Sequence, residues 1–136
     1  MRHIVFCLSV AAIGSVSLIG AATAAEMTGA DIKELVSGKT VYLDLAASVT
    51  GTNGTGVIFY DANGSLLYKT PKGVMWHGTW TIKENTACLD WKESPNNACT
   101  KYDKQGDTIS LINAQTGQTR GKVVKTAPGN AENLAP

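Results

Sequence analysis

The sequence predicts a mainly β protein: an antiparallel meander of about eight short strands, forming a small barrel or barrel-like sandwich, with one short N-terminal helix. Short runs rich in Val, Ile, Tyr, Trp and Thr recur from residue 40 onward. Turn residues separate these runs every eight to twelve residues. Because such short turns let each strand pair only with its sequence neighbours, the sheet is expected to be antiparallel.

The first 25 residues have the organisation of a cleaved signal peptide. Arg2 and His3 form a basic start, residues 4–19 are almost entirely apolar, and residues 21–25 supply the small side chains that a signal peptidase needs. Cleavage before Glu26 is preferred, and a site one residue earlier is nearly as good. We therefore expect a periplasmic or secreted protein of about 110 residues.

A chain of this size forms one domain, predicted here over residues 26–126. Loss of Arg2 leaves 11 Lys and Arg, from 12, against 11 Asp and Glu, so the mature charge is zero, which argues against a nucleic-acid partner. After cleavage no apolar segment approaches the roughly 18 residues of a membrane helix. Residues 127–136 bury little and are expected to be a flexible tail.

The first predicted element after the signal peptide is a short amphipathic helix over residues 29–37. Thr28 and Asp31 have the spacing of a capping box, and Gly38 supplies a left-handed stop. The apolar residues that share one face are Ile32, Leu35 and Val36. This helix is expected to lie on the sheet or to close one end of it.

The predicted strands are 40–46, 56–61, 65–70, 74–83, 87–92, 99–103, 108–113 and 121–126. Asn63-Gly64 gives the clearest turn, because a two-residue hairpin loop needs positive φ at both central positions. In strand 74–83, alternation places Trp76, Gly78 and Trp80 on the core face. Gly78 gives the two indoles room and lets the strand bend, which favours a barrel, and Trp91 is expected to join the same cluster.

The cysteine pattern predicts one disulfide. Cys7 leaves with the signal peptide, so Cys88 and Cys99 remain as a pair in an oxidising compartment. Alternation directs Cys88 away from the core, and the pair is expected to join two neighbouring strands across a hairpin.

The sequence contains no motif that names a reaction, and we expect a protein that is not an enzyme and has no cofactor. His77 is the only histidine after processing, so a zinc site has no second histidine. The acidic residues lack calcium-loop spacing, and the Gly-rich residues 50–56 lack the Lys-Ser/Thr of a phosphate loop. A hydrolase built on His77 with Asp90 or Asp44 is a further hypothesis, which requires a buried carboxylate beside His77.

Binding is therefore the expected activity, as a small-molecule carrier or sensor in the cell envelope. Tyr42, Tyr60 and Trp76 are the candidate ligand-binding residues near the barrel mouth, with His77 on the rim. Plain core filling is the alternative role for these aromatic rings. The alternative function is a protein-interaction module, an inhibitor or a secreted host-directed factor, that uses residues 47–55 and the tail.

Several features occur together along the mature chain: the helix before Gly38, Gly56 to Tyr60, Trp76 to Ile82, Cys88 to Trp91, Cys99, and Gly129-Asn130. In this combination the chain resembles a family of small exported alpha-proteobacterial proteins with an uncharacterised domain. That resemblance implies a fold and a compartment but no activity. Gly78-Thr79-Trp80 and the cysteine pair also resemble lipocalin-like small barrels at the level of fold.

Overall fold

The computed structural model describes residue 20 and residues 23–47, 53–95 and 97–136. The predicted signal peptide lies almost wholly outside the described residues. Residues 48–52 of the predicted interaction loop also lie outside them.

The described residues form nine strands and a helix, which pack around one core. In chain order the elements are β1 (Ala25–Glu26), α1 (Gly29–Val36), β2 (Lys39–Leu45), β3 (Gly54–Tyr60), β4 (Ser65–Lys69), β5 (Met75–Lys83), β6 (Thr86–Trp91), β7 (Ala98–Gln105), β8 (Thr108–Asn113) and β9 (Thr119–Pro128). Each strand from β2 to β9 pairs antiparallel with its sequence neighbour, and β9 also pairs with β2. The predicted meander is confirmed, and it closes into an eight-stranded barrel.

Strand β1 was not predicted. It pairs with β7 through Ala25↔Lys104 and Glu26↔Asp103, beyond the residues of β7 that pair with β6. Its hydrogen bonding continues as the Met27 N–H donates to the Tyr102 carbonyl at 2.8 Å. A strand of two residues is too short to show a periodic pattern of apolar side chains, so no sequence signal predicts it.

Helix α1 closes one end of the barrel, as predicted. The Thr28 hydroxyl accepts the Asp31 N–H, and the Asp31 side chain accepts the Thr28 N–H, which completes the capping box. Ile32 and Val36 are fully buried against the barrel. Gly29 is needed at the helix start, because a Cβ there would lie 2.1 Å from the Glu84 carbonyl oxygen in the β5–β6 turn.

The C-terminal segment differs from the expected flexible tail. β9 runs to Pro128, and the Gly129 N–H donates to the Gly38 carbonyl at 2.9 Å. Leu134 is 8% exposed, and the Asn130 amide side chain bonds both backbone groups of Leu134. The expectation considered only how little residues 127–136 offer to bury, and it omitted the backbone and side-chain hydrogen bonds that attach them to the barrel.

The strand alternation read from β5 is confirmed in the core. Gly78 and Trp80 are buried, and Trp76 packs against the core from a half-buried position. On the outer side, Cys88 and Cys99 face each other directly across β6 and β7 and form the predicted disulfide.

The two ends of the barrel are built differently. The closed end carries α1, the β3–β4, β5–β6 and β7–β8 turns, and the C-terminal segment. The open end carries the β2–β3, β4–β5, β6–β7 and β8–β9 connections. Any small molecule that enters the barrel interior therefore approaches from the open end.

Candidate functional site

The barrel interior holds a cavity of about 400 Å³ at the open end. Its wall is mainly apolar and aromatic, with Leu45, Ile58, Trp76 and Leu111 among the lining residues. Interior positions of a small barrel either fill the space or leave room for one small ligand. In this barrel they leave a space within the size range of small-molecule pockets.

The rim of the cavity is formed by two connections of the open end. Pro71, Lys72 and Val74 come from the β4–β5 turn, and Ser94 comes from the β6–β7 loop. Val74 is 54% exposed. The rim thus presents apolar surface to an approaching ligand.

One side of the cavity is an aromatic wall made by Tyr68, Trp76 and Trp91. The Tyr68 ring centroid lies 5.9 Å from that of Trp76 and 5.5 Å from that of Trp91. The two indoles are 6.1 Å apart with their planes at 70°. The two contacts of Trp76 are edge-to-face and the Tyr68–Trp91 contact is tilted, and together they fix the rings, so the wall is already formed without a ligand.

Trp80, the third tryptophan, lies in a separate aromatic contact. Its ring is 5.6 Å from Tyr60 in an edge-to-face arrangement, and its Nε1–H donates to the Asp61 carbonyl at 2.8 Å. The predicted cluster of three tryptophans is therefore divided between Trp76 with Trp91 and Trp80 with Tyr60.

The inner end of the cavity is polar. The hydroxyls of Tyr60 and Tyr102 lie 3.3 Å apart, and these two residues are 1% and 2% exposed. Burial raises the pKa of both phenols, so both stay protonated and able to donate hydrogen bonds at neutral pH.

Arg120 brings a positive charge to the cavity, close enough to Tyr60 and Tyr102 to act on the pKa of both phenols. It lies at an irregularity between β8 and β9, where Leu111 pairs with Gly121 and Ile112 with Thr119, so Arg120 is left without a partner on β8. A β-bulge of this kind changes the direction of a side chain. Arg120 lines the cavity, and its Nη1 donates to the Thr100 hydroxyl at 3.2 Å.

The positive charge of Arg120 acts to lower the pKa of the tyrosines around the cavity. Burial raises the pKa of Tyr68 to about 12, and the nearby Arg120 cation acts in the opposite direction. Arg120 has the same opposing effect on Tyr60 and Tyr102. Burial also lowers the pKa of the guanidinium itself, although an arginine in a protein stays charged at neutral pH.

Arg120 has no carboxylate partner among the described residues. Every Asp and Glu of the chain lies in the described ranges. The ion pairs found there join His77 to Glu93, Lys101 to Glu26, and Lys122 to Asp44. The guanidinium therefore faces the cavity with a neutral hydroxyl, Thr100, as its side-chain hydrogen-bond partner.

The structure brings together two of the four predicted ligand-binding residues. Tyr60 and Trp76 line the cavity. Tyr42 lies on the outer surface, where its hydroxyl donates to Glu132 at 2.5 Å and Lys125 Nζ lies 4.5 Å from its ring centroid. The ligand-binding roles of Tyr42, Tyr60 and Trp76 stay predictions.

His77, the fourth predicted residue, is held by Glu93 outside the cavity. Glu93 accepts from the His77 backbone N–H at 2.8 Å and lies 2.5 Å from the ring Nδ1. These bonds lower the pKa of Glu93, the backbone bond having the larger effect. The side chains are 29% and 34% exposed, so this is a surface pair, and neither Asp90 nor Asp44 is the carboxylate beside His77.

Sequence reasoning missed Arg120 because strict alternation says nothing about a bulge. One signal was present. Apart from Arg2, Arg120 is the only arginine of the chain, and the other ten of the twelve Lys and Arg residues are lysines. Arginine is favoured over lysine where a planar anion is bound through two hydrogen bonds.

No family model, curated protein or solved structure matches the chain. Within the described ranges there is no group of three or more His, Cys, Asp or Glu side chains suited to a metal ion. The search of those same ranges for a helix of sufficient length and hydrophobicity to cross a membrane also found none.

Proposed function

We propose that the protein is an exported, non-enzymatic binding protein that carries or senses a small molecule in its barrel interior. The observation that carries this proposal is the cavity of about 400 Å³, walled by aromatic side chains and ending in a few convergent polar groups. Pockets of this size and composition are the usual form of a small-molecule site. Eight-stranded antiparallel barrels such as lipocalins hold small ligands in the same part of the fold.

The location outside the cytoplasm is part of the proposal. The Cys88–Cys99 disulfide supports it, because such bonds persist in oxidising compartments. The basic start, apolar run and small residues of the first 25 positions support it from the sequence.

The test is native mass spectrometry of the protein purified from an exported fraction, without denaturation or reduction. We expect an additional mass on the order of a few hundred daltons, the size of ligand that such a cavity accommodates. Leu45→Trp fills the cavity from its wall and should abolish the additional mass. Val124→Trp is the matched control, since Val124 is 56% exposed on the outer surface.

The mass spectra distinguish a small-molecule carrier from a protein-interaction module. Bare protein that also binds nothing from a broad ligand panel would overturn the carrier proposal. A second polypeptide in the spectrum, retained by both variants, would support the alternative of a protein-interaction module.

A further inference from the structure

We propose that the ligand is an amphipathic monocarboxylate, with its carboxylate on Arg120 and its apolar part against Trp76 and Trp91. This inference rests on the proposed function, because it names the class of ligand that the same cavity binds. It is argued from the charge, the donors and the wall of the cavity in turn.

The positive charge of Arg120 favours a ligand with a single negative charge. Arg120 is half-buried, so its cation is partly removed from water, and the described acidic residues leave it without a counter-ion. Lys72 also lines the cavity, but it lies exposed at the rim, where water solvates it. One interior positive charge is balanced by one negative charge, which favours a monoanion over a dianion such as a phosphate monoester.

The hydrogen-bonding groups select the same class. Arg120 offers N–H donors only, and the hydroxyls of Thr100, Tyr60 and Tyr102 can donate as well. A carboxylate is an acceptor of planar shape, and the guanidinium fork matches it with two parallel hydrogen bonds. The inner end of the cavity is therefore complementary to a carboxylate group.

The rest of the wall requires the ligand to be apolar beyond its carboxylate. Leu43, Leu45, Ile58 and Leu89 line the same cavity as Arg120, and the two indoles form one side of it. A short hydrophilic acid would leave this apolar wall in contact with water. An aliphatic or aryl-alkyl chain buries it.

The experiment compares acids with alcohols of the same skeleton by calorimetry on the intact, disulfide-bonded protein. The probes are decanoate with 1-decanol, and 4-phenylbutyrate with 4-phenyl-1-butanol, all below their aggregation limits. We expect the wild type to bind each acid about tenfold to a hundredfold more tightly than its alcohol, the range that a charged hydrogen-bonded contact provides.

Variants then assign this preference to Arg120. Arg120→Met should abolish the preference while leaving alcohol binding within about twofold, and Arg120→Lys should restore part of it because lysine keeps the charge without the fork. Lys122→Met is the matched control, since it removes a charge from the same strand at a side chain that is 58% exposed. Thermal unfolding of each variant establishes that it is folded.

Three results would overturn the inference, and they differ in what they mean for the proposed function. Equal binding of acid and alcohol removes the carboxylate, and an acid preference that survives in Arg120→Met removes its contact with Arg120. Both results leave a small-molecule carrier. Absence of binding by all four probes, together with bare protein in the native mass spectrum, removes both.

Discussion

The Thr40 hydroxyl donates to the Gly129 carbonyl at 2.6 Å, across 89 positions of sequence. The same oxygen accepts the Ala131 N–H at 2.9 Å, and Thr40 is fully buried. One side chain in β2 therefore attaches the C-terminal segment to the closed end of the barrel.

Replacing this hydroxyl with a methyl group should destabilise the protein. Thr40→Val keeps the shape but removes two hydrogen bonds, to the Gly129 carbonyl and from the Ala131 N–H, each worth about 0.5–1.5 kcal/mol, so the loss should be about 1–3 kcal/mol. Urea unfolding measures the change. Thr81→Val is the control, an exposed strand position where the change should stay within about 0.5 kcal/mol; equal effects at the two sites would show that the Thr40 bonds contribute nothing.

The disulfide should provide a large part of the stability of this domain. Cys88 and Cys99 are 11 positions apart, and a loop of about this length contributes roughly 3 kcal/mol in the chain-entropy account. We expect the double variant Cys88→Ala/Cys99→Ala to lose about that amount in urea unfolding, and dithiothreitol to destabilise the wild type alone. If dithiothreitol lowers the unfolding midpoint of the double variant equally, the effect does not come from this bond.

Gly78 should tolerate no side chain. A Cβ at this position would lie 2.3 Å from the Asp90 carbonyl oxygen and 3.0 Å from Trp91 Cε3. Because the first of these neighbours is backbone, Gly78→Ala forces β5 and β6 apart and should cost at least about 1–3 kcal/mol. Thr79→Ala on the exposed face is the comparison, expected to cost clearly less; similar losses would mean that the close approach at Gly78 is relieved without strain.

The buried tyrosines should make the protein sensitive to alkali. Burial raises the pKa of Tyr68 to about 12, above its value of about 10 in an unfolded chain. Its contribution to stability is thus complete below about pH 10 and is lost as the pH rises towards 12, because the unfolded chain releases the proton first.

Tyr68→Phe removes this titration. The unfolding free energy of the variant should fall less between pH 9 and pH 11 than that of the wild type, and urea midpoints across that range measure the difference. All other side chains are common to both proteins, so their contributions cancel in the comparison. Parallel decline of the two curves would contradict the burial of the Tyr68 phenol.

Much of the fold could be predicted because its signals are local. The capping box of Thr28 and Asp31, the Asn63-Gly64 turn and the alternation around Trp80 each depend on residues within a few positions of one another. The choice between a closed barrel and a barrel-like sandwich stayed open, because the pairing of β9 with β2 that closes the barrel joins residues that no local pattern connects.

The candidate site was predicted less completely, because it depends on departures from regular strands. Alternation placed Trp76 on the core face, and Tyr60 was predicted near the barrel mouth; both line the cavity. Arg120 reaches the same cavity from a bulge, and bulges leave little trace in a single sequence. The C-terminal segment was missed for a related reason, since its bonds to Thr40 and Gly38 join opposite ends of the chain.

The two residues of β1 bear on self-association. Unpaired backbone groups along the edge of a strand can pair with a strand of another chain. On the side of β7 that faces β6, the pairing with β6 ends at Thr100. Ala25 and Glu26 occupy the next part of that edge, and Met27 continues it. Removal of the chain through Met27 would expose this part of β7 to pairing with a second molecule. Glu26 and Met27, which follow the predicted cleavage site, therefore help to prevent self-association at high concentration.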